Sequence, residues 1–389
     1  MVAHVTTTDI SLELLLGTQL EAFERAGFDV IGISAPGPYV AALERRGLRH
    51  VRLEHATRSM APTKDLGAFW ELVRIFRRLR PAIVHTHNPK PGIYGRIAAR
   101  VASVPVVVNT VHGLYAQPDD RAVKRAVVYA LERVAATCSD AELVQNPEDL
   151  ETLARLRIPP AKLTLLGNGI DLDRFDPSAV SDHEVAEARR ALGACAPTDV
   201  VVGLVGRLVR EKGYPEVFEV ARRLRSRMPH VRFAVIGGDD DEKADALSAR
   251  DRNAAQAAGV RFLGKRDDMV SLFRGMDLYV LASHREGYPR AAMEAAAMGL
   301  PSVVTNVRGC RQVVEDGETG LLVPVRDVAS LETAIGTLAG DPDRRHAMGA
   351  AARAKALRYF DVKRCIDITL STYRRLLDGR ASSRIPTAP

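Results

Sequence analysis

The chain has 389 residues, enough for two domains, and its 46% hydrophobic and 26% charged residues are those of a soluble globular protein. Lys and Arg exceed Asp and Glu by 55 to 48, which suits an anionic ligand such as a phosphate but also an ordinary basic surface. The four cysteines lie far apart, which indicates reduced cytoplasmic thiols. The sequence shows no signal peptide pattern. It also has no apolar run of about 18 residues, so we expect no membrane span.

Short β-branched runs alternate with helical patterns along the whole chain. The first half contains seven predicted strands, at 4–8, 28–35, 48–53, 82–87, 104–112, 141–146 and 162–169. The second half contains six, at 200–208, 231–238, 260–264, 278–283, 301–306 and 320–324. Continuous apolar strands separated by helices are typical of parallel sheets covered on both faces. The sequence therefore predicts an α/β protein with two doubly wound domains.

A polar segment at 173–182 predicts the linker between the two domains. The first domain then covers 1–172 and the second covers 183–358. An amphipathic helix is predicted at 360–380, and the last nine residues are predicted to be disordered. Two such domains leave a cleft, and ligands of doubly wound sheets bind beyond the carboxyl ends of the strands. The residues that follow each strand are therefore the functional candidates.

Histidines end two predicted strands of the first domain. His87 ends 82–87, and His112 ends 104–112. A histidine in this position is more often a buried core residue than a ligand-binding group. Two of them at strand ends that point toward the cleft strengthen the case for ligand binding. The acidic loop 237–242 is interpreted as a solvated turn, and no cluster elsewhere has metal-ligand spacing. We therefore expect no metal site.

Arg207 and Lys212 follow the first strand of the second domain, in the stretch GRLVREKGYPE. Two cations at the entry to a helix can bind a diphosphate, since arginine binds phosphate oxygens bidentately and lysine acts as a point charge. The alternative is a solvated loop with glycine turns. The spacing alone does not decide between the two interpretations.

The stretch HREGYPRAAMEAAAMG, 284–299, places one glutamate before a predicted helix and a second inside it. Glu286 lies in the loop at the carboxyl end of a strand. Glu294 lies in the second helical turn among alanines, where a carboxylate must be paired or hydrogen-bonded, for example to sugar hydroxyls. The free N–H groups at the start of the helix suit phosphate. The alternative is that Glu294 is a helix-forming residue that points to water.

Four segments in chain order, GRLVREKG, FLGKRDDM, REGYPRAAMEAAAMGLP and RGCRQVVEDGETGLLVPVRD, resemble the retaining glycosyltransferases of family 4. The likeness covers nearly the whole chain. The first half, with HTHNPKPGIYGRIAAR and NTVHGLY, is similar to members that build bacterial capsule, lipopolysaccharide or exopolysaccharide units. The resemblance implies the GT-B fold, in which two Rossmann-like domains face each other across a cleft and the C-terminal helix crosses back to the first domain.

The resemblance also implies roles for the candidate residues. Glu286 would contact the transferred sugar and Glu294 the ribose hydroxyls of the donor. Arg207 and Lys212 would stabilise the departing diphosphate, and His112 would touch the donor sugar. The other residues that it implies on the donor side are Gly287, Tyr288, Pro289, Arg290, Lys265 and Arg266.

The chain departs from the family in one place. Many members have a Gly-Gly loop after the first strand, whereas this sequence has TTTDISLEL at 6–14. Ser11 in that stretch, together with His87, is the candidate on the acceptor side.

The implied reaction moves a sugar from a nucleoside diphosphate to a hydroxyl of a glycan or of a polyprenyl-diphosphate-linked acceptor, with retention and without metal or other cofactor. UDP is favoured over GDP-mannose as the donor nucleotide. The basic amphipathic segments 65–81 and 121–134 either contact the anionic inner face of the cytoplasmic membrane or are ordinary surface helices.

Other classes of protein remain as alternatives. A sugar-nucleotide 2-epimerase and a catalytically silent protein that binds a nucleotide sugar fit the same motifs. A nicotinamide dehydrogenase is not expected, since no G-x-G-x-x-G follows an early strand. Nucleic-acid binding is not expected either, because aromatic residues are only 5% and the arginines follow helix faces.

Overall fold

The computed structural model describes residues 1–58, 61–87, 89–116, 120–240 and 243–382, with side chains described as far as residue 380. The chain divides into two compact units. The first combines Met1–Asn168 with the chain from Val362 onward, and the second is Gly169–Asp361. Residues 383–389 of the segment predicted to be disordered, and residues 241 and 242 of the acidic loop, lie outside the described residues.

The first unit is built on a seven-stranded parallel sheet with the order β3-β2-β1-β4-β5-β6-β7. Its strands are β1 (Val2–Thr8), β2 (Val30–Ala35), β3 (Arg49–Arg52), β4 (Ile83–His87), β5 (Val106–Val111), β6 (Ala141–Val144) and β7 (Leu163–Leu165). The central strands are buried on both faces because helices cover both sides, which explains their continuous apolar sequences.

Six helices of the first unit precede the second unit in the chain. They are α1 (Gly17–Arg25), α2 (Val40–Arg45), α3 (Pro62–Leu79), α4 (Pro89–Val101), α5 (Ala122–Thr137) and α6 (Pro147–Arg155). A π-helical segment, Ser11–Leu16, leads from β1 into α1. This segment includes part of the stretch TTTDISLEL, in which the sequence departs from the pattern of the family that it resembles.

A buried ion-pair cluster joins α4, α5 and β6. The guanidinium of Arg96 is fully buried and donates to Glu132 over 2.6 Å and to Glu142 over 2.7 Å. The second oxygen of Glu142 accepts from the amide of Asn109 over 2.7 Å. The cluster fixes two helices to the sheet through charges that are almost entirely removed from water.

The second unit has a six-stranded parallel sheet with the order β10-β9-β8-β11-β12-β13. Its strands are β8 (Val200–Val205), β9 (Val231–Ile236), β10 (Val260–Phe262), β11 (Leu278–Leu281), β12 (Ser302–Thr305) and β13 (Gly320–Val323). Its helices are α7 (Asp182–Leu192), α8 (Tyr214–Arg227), α9 (Ala249–Ala257), α10 (Met269–Gly275), α11 (Arg290–Ala297), α12 (Arg308–Val313), α13 (Val328–Gly340) and α14 (Pro342–Tyr359).

The last helix, α15 (Val362–Ser382), returns to the first unit. Ile366 and Leu370 pack with the side chains of α1, and Tyr373 is fully buried against β1, β4 and β5. Within the described part of the chain, no helix combines the length and the apolar character that a bilayer span requires.

The predicted α/β fold with two doubly wound parallel sheets is confirmed, and each of the thirteen predicted strands is present, most of them shorter by one to four residues. The linker, predicted at 173–182, differs from the observed division. Ile170 and Phe175 are buried in the core of the second unit, and the backbone N–H of Ile170 donates to the carbonyl of Phe360 over 2.8 Å. The segment therefore packs as part of the second unit because its apolar side chains have a place in that core.

Candidate active site

The loop after β8 carries Arg207 and Lys212 at the carboxyl end of the second sheet. It forms a single 3-10 turn, Arg210–Lys212, and enters α8 through Gly213, which has a positive φ of 73°. A Cβ on Gly213 would lie 2.0 Å from the carbonyl oxygen of Ala282, just past β11. Only glycine allows this approach, and it brings Lys212 to the end of the neighbouring strand.

Lys212 forms an ion pair with Glu286. Its Nζ lies 2.5 Å from Oε1 of Glu286, which also accepts from the Ser283 hydroxyl over 2.7 Å. The two side chains are 23% and 10% exposed, so the carboxylate is nearly buried and the ammonium partly so. The first motif glutamate and the second predicted phosphate cation therefore lie together at the ends of β8 and β11.

Arg207 projects from the same edge of the sheet. Its guanidinium pairs with the carboxylate of Asp240, which follows the neighbouring strand β9. Asp240 is buried, whereas the Arg207 side chain is 48% exposed. Part of the guanidinium therefore remains available to a ligand. Sequence analysis interpreted the acidic loop as solvated and missed this pairing, since it depends on β8 and β9 being neighbours.

Glu294 lies on α11, which starts directly after Pro289 and ends before Gly299, a residue with a positive φ of 76°. Its side chain is only 14% exposed, and Arg290 Nε lies 3.4 Å from Oε1. Burial raises the pKa of the Glu294 carboxyl, while Arg290 and Arg174 oppose that shift. The alternative of a solvent-facing helix former is therefore wrong.

Close backbone packing holds the loop between β11 and α11. A Cβ on Gly309 of α12 would lie 2.6 Å from the carbonyl oxygen of Gly287 and 2.7 Å from that of Glu286. Tyr288 is half-buried, with its ring edge-on to Phe360 at 6.3 Å. The loop therefore has little freedom to move away from α12.

Lys265 and Arg266, which the resemblance implies on the donor side, lie in the exposed loop after β10. The guanidinium of Arg266 donates to Asp268 over 2.8 Å, and Lys265 is exposed beside it. The N–H of Gly237, which follows β9, donates to the carbonyl of Gly264 over 2.9 Å. This loop and the loops after β8 and β9 therefore lie at the same edge of the sheet.

In the first unit, His112 follows β5 and contacts His87 of β4. Its Nε2 lies 3.0 Å from Nδ1 of His87, and its Nδ1 is buried without a hydrogen-bond partner among the described residues. Burial lowers the pKa of His112 to about 4, and the nearby amide of Gln145 opposes that shift. His112 is therefore a neutral imidazole, with His87 at one ring nitrogen and the Gln145 side chain nearby.

His87, predicted on the acceptor side, is buried between two other histidines. His87 is 2% exposed, and its two ring nitrogens face His112 and His4, each at 3.0 Å. Its side chain therefore offers no free atom to an acceptor. Ser11 is half-buried at the start of the π-helical segment, with its hydroxyl 3.4 Å from that of Thr8.

Sequence analysis missed a group of three buried histidines. Nitrogens of His4, His85 and His87 lie within 4.8 Å of one another, close enough in distance for a shared metal ion. His85 faces the Tyr373 hydroxyl with Nδ1 and the Thr110 hydroxyl, at 2.7 Å, with Nε2. The group therefore consists of hydrogen-bonded rings. Its only signal in the sequence was the HTH at the end of β4.

Comparisons with known proteins cover most of the chain and agree on its family. The family profile described as "Glycosyltransferase Family 4" matches residues 13–174, and the profile "Glycosyl transferases group 1" matches residues 187–355. The Escherichia coli protein named UDP-Gal:alpha-D-GlcNAc-diphosphoundecaprenol alpha-1,3-galactosyltransferase is 31% identical over 316 residues, which is 80% of this chain and 79% of that protein. Capsular polysaccharide biosynthesis glycosyltransferase CapM of Staphylococcus aureus is 27% identical, over 90% of this chain and 91% of its own.

Solved structures show the same fold. Anabaena Alr3699/HepE, in complex with UDP and glucose, superposes with a TM-score of 0.80 at 19% sequence identity. The superposition covers 96% of this chain and 99% of the other.

Proposed function

Because the chain belongs to the family 4 glycosyltransferases of GT-B fold, we propose that it transfers a sugar from a UDP-sugar to a hydroxyl of a polyprenyl-diphosphate-linked or glycan acceptor, with retention at the anomeric carbon. The product would be part of a cell-surface polysaccharide. UDP and the lipid-linked acceptor are proposed from the E. coli relative, whose name contains both.

One observation carries the donor site in this proposal. Arg207 and the ion pair of Lys212 with Glu286 lie at the carboxyl ends of the neighbouring strands β8 and β11, where doubly wound sheets bind their ligands. Two cations and a nearly buried carboxylate at this edge suit a diphosphate and a sugar. Glu294, buried on the following helix, would accept hydrogen bonds from the ribose hydroxyls.

The proposed chemistry is electrostatic. When the sugar leaves, negative charge develops on the β-phosphate, and Arg207 and Lys212 would stabilise it together with the N–H groups at the start of α11. These cations would take the role that a metal ion has in other transferases, so we expect no requirement for one. Glu286 would contact the transferred sugar without forming a covalent bond, and the acceptor would attack from the face on which the nucleotide departs.

For the acceptor, α5 supports the proposal that the first unit lies on an anionic membrane. Four large apolar side chains are exposed at helical spacing along it: Val123 at 77%, Val127 at 53%, Leu131 at 44% and Val134 at 57%. Arg133 of this helix and Arg121, its N-cap residue, are also exposed. An apolar stripe flanked by cations is the pattern of an interfacial helix.

The segment 65–81 gives weaker support to the proposed membrane contact. Val73 and Phe76 of this segment are buried in the core of the first unit and are not available to a membrane. Leu66 and Trp70 of α3 are exposed at 59% and 50% and could contribute.

A thermal-shift titration with UDP, GDP, ADP and NAD, with and without EDTA, tests the donor site. A ligand that binds only the folded protein raises its melting temperature. We expect UDP to protect, EDTA to make no difference, and Arg207→Ala to lose about 10- to 100-fold in affinity, the equivalent of one charged hydrogen-bonding group.

Arg210→Ala is the matched control. Arg210 lies three residues away, is 49% exposed against 48% for Arg207, and also pairs with an aspartate. Equal loss of affinity in both variants, or protection by NAD alone, would contradict the proposed site. UDP release that requires an added lipid-linked acceptor would separate the transferase from an epimerase and from a silent binding protein.

A further inference from the structure

A row of imidazoles crosses the middle of the first sheet. His4 on β1 lies beside His85 on β4, and His87 lies beside Thr110 on β5, two residues before His112. Nδ1 of His4 lies 3.0 Å from Nε2 of His87, and Nδ1 of His87 lies 3.0 Å from Nε2 of His112. We call His4, His87 and His112 the histidine chain.

Each link of the histidine chain joins Nδ1 of one ring to Nε2 of the next. A neutral imidazole carries its proton on one nitrogen and accepts on the other. If His4 donates from Nδ1, then His87 must also carry its proton on Nδ1, and so must His112. If His112 donates from Nε2, the other two rings must be Nε2-protonated. The three rings therefore share one tautomer.

Burial keeps these rings neutral. His4 and His87 are 0% and 2% exposed. Burial lowers the pKa of His4 to about 3 and that of His87 well below its usual range. A charged ring donates from both nitrogens, so it would interrupt the common tautomer of the three rings.

We propose that His87 and His4 are positioning residues that fix the tautomer and ring orientation of His112, the histidine that would contact the donor sugar. The sugar contact rests on the function proposed above. The order of protons along the histidine chain depends only on residues of the first unit. Tyr373 lies at the far end, with its hydroxyl 3.5 Å from Nε2 of His4 and in contact with Nδ1 of His85.

A metal ion held by His4, His85 and His87 is the competing explanation of this cluster. It is disfavoured because the nitrogens already face one another and two hydroxyl groups. Three neutral imidazoles would also leave the charge of a divalent ion unbalanced in the core.

Nitrogen NMR of protein labelled with 15N-histidine decides the order of protons directly, because the shifts of Nδ1 and Nε2 report the tautomer of each ring. We expect His4, His87 and His112 to show one common tautomer in the wild type. Different tautomers among the three would overturn the proposal without any variant. About one equivalent of a transition metal in protein purified without chelator would overturn it as well.

The variant His87→Leu interrupts the histidine chain, and His85→Leu is its matched control. Both remove a fully buried imidazole from β4, two residues apart, but only the first separates His112 from its partner. With His87→Leu we expect His112 to populate both tautomers. We expect kcat to fall about tenfold, as for one lost hydrogen bond. The KM for the UDP-sugar should change by less than about twofold. His85→Leu should leave the tautomer of His112 and kcat close to the wild type.

The NMR and kinetic results test the histidine chain separately from the proposed transferase function. If the wild type transfers no sugar, the proposed function fails, while the NMR spectrum still decides the histidine chain. If the common tautomer is observed and kcat is the same in both variants, the positioning role is overturned. Loss of activity with unchanged His112 signals in His87→Leu would overturn it too.

Discussion

The ammonium nitrogen of Lys212 lies 2.5 Å from Oε1 of Glu286, and this ion pair joins the loop after β8 to the loop after β11. Each partner is a candidate for one part of a sugar nucleotide, the lysine for phosphate and the glutamate for sugar. In the structure each neutralises the other. A bound diphosphate would therefore compete with Glu286 for the lysine.

Glu286→Gln is expected to separate catalysis from stability. The amide keeps the size of the side chain and can still accept from Ser283, and Lys212, at 23% exposure, can be solvated when unpaired. We expect kcat to fall about 100-fold, as for loss of one preorganised electrostatic group. The free energy of unfolding should change by about 1 kcal/mol or less. Glu211, the neighbour of Lys212 in the sequence, is half-exposed, and Glu211→Gln should leave kcat and the free energy of unfolding unchanged. A large loss of activity in Glu211→Gln would contradict the catalytic role of Glu286.

Glu294→Gln is expected to stabilise the second unit while it weakens donor binding. The folded state raises the pKa of this carboxyl, mainly by burial, so the charged form destabilises the fold at every pH above the ordinary glutamate range. A neutral isostere should raise the free energy of unfolding at pH 7.5 by up to about 1 kcal/mol. The Kd for UDP should rise about tenfold, measured by calorimetry. Glu318→Gln, at an exposed position of the same unit, is the control.

The first unit is expected to lose stability in mild acid. Burial lowers the pKa of His4 to about 3 and that of His112 to about 4, and it lowers those of His85 and His87 well below their usual range. Below pH 6.5 the unfolded chain takes up protons that the folded chain does not. Stability should therefore fall as pH drops from about 6.5 to about 4, by up to about 1.4 kcal/mol per pH unit for each histidine.

Fluorescence of Trp70, the only tryptophan, reports unfolding of the first unit. Urea titrations at pH 7.5, 6.5 and 5.5 measure the effect, and His183→Gln, with a side chain 77% exposed in the second unit, should not alter it. A midpoint that is the same at pH 7.5 and pH 5.5 would show that these histidines are not neutral in the folded state.

Arg96→Met is expected to destabilise the first unit by about 3–5 kcal/mol, since it leaves the buried carboxylates of Glu132 and Glu142 without their cation. Arg100→Met, one turn later on α4, removes an ion pair with Asp140 whose side chains are 29% and 19% exposed, and it should lose about 1 kcal/mol or less. The same Trp70 signal measures both. Similar losses would mean that the burial of Arg96 has no energetic consequence.

Leu131→Glu is expected to weaken membrane binding. It places a carboxylate in the exposed apolar stripe of α5, where it would meet both hydrocarbon and anionic headgroups. In vesicle flotation with phosphatidylglycerol, we expect at least about a fivefold loss of bound protein, equivalent to about 1 kcal/mol. Leu357→Glu, at a leucine with 52% exposure in the second unit, should bind as the wild type does. No flotation of the wild type would reject the membrane proposal for α5.

The sequence predicted the strands, the two sheets and the loop positions of Arg207, Lys212 and Glu286 because these depend on local patterns of apolar and turn residues. It did not predict that Asp240 faces Arg207 or that His87 faces His112. Those contacts depend on which strands are neighbours, and residue spacing along the chain does not give that order. The sequence also left open whether the apolar face of segment 65–81 meets a membrane or the core, because an amphipathic pattern does not show what covers that face; the structure buries Val73 and Phe76.

The division of the chain has a consequence for its synthesis. The second unit is one continuous stretch, Gly169–Asp361, whereas the first unit needs Ile366, Leu370 and Tyr373 of α15 to complete its core. During translation the second unit can therefore close while the first sheet still lacks part of its cover. The first unit, although made earlier, is expected to reach its final packing last, and until then α1 and one face of β1, β4 and β5 are available to chaperones.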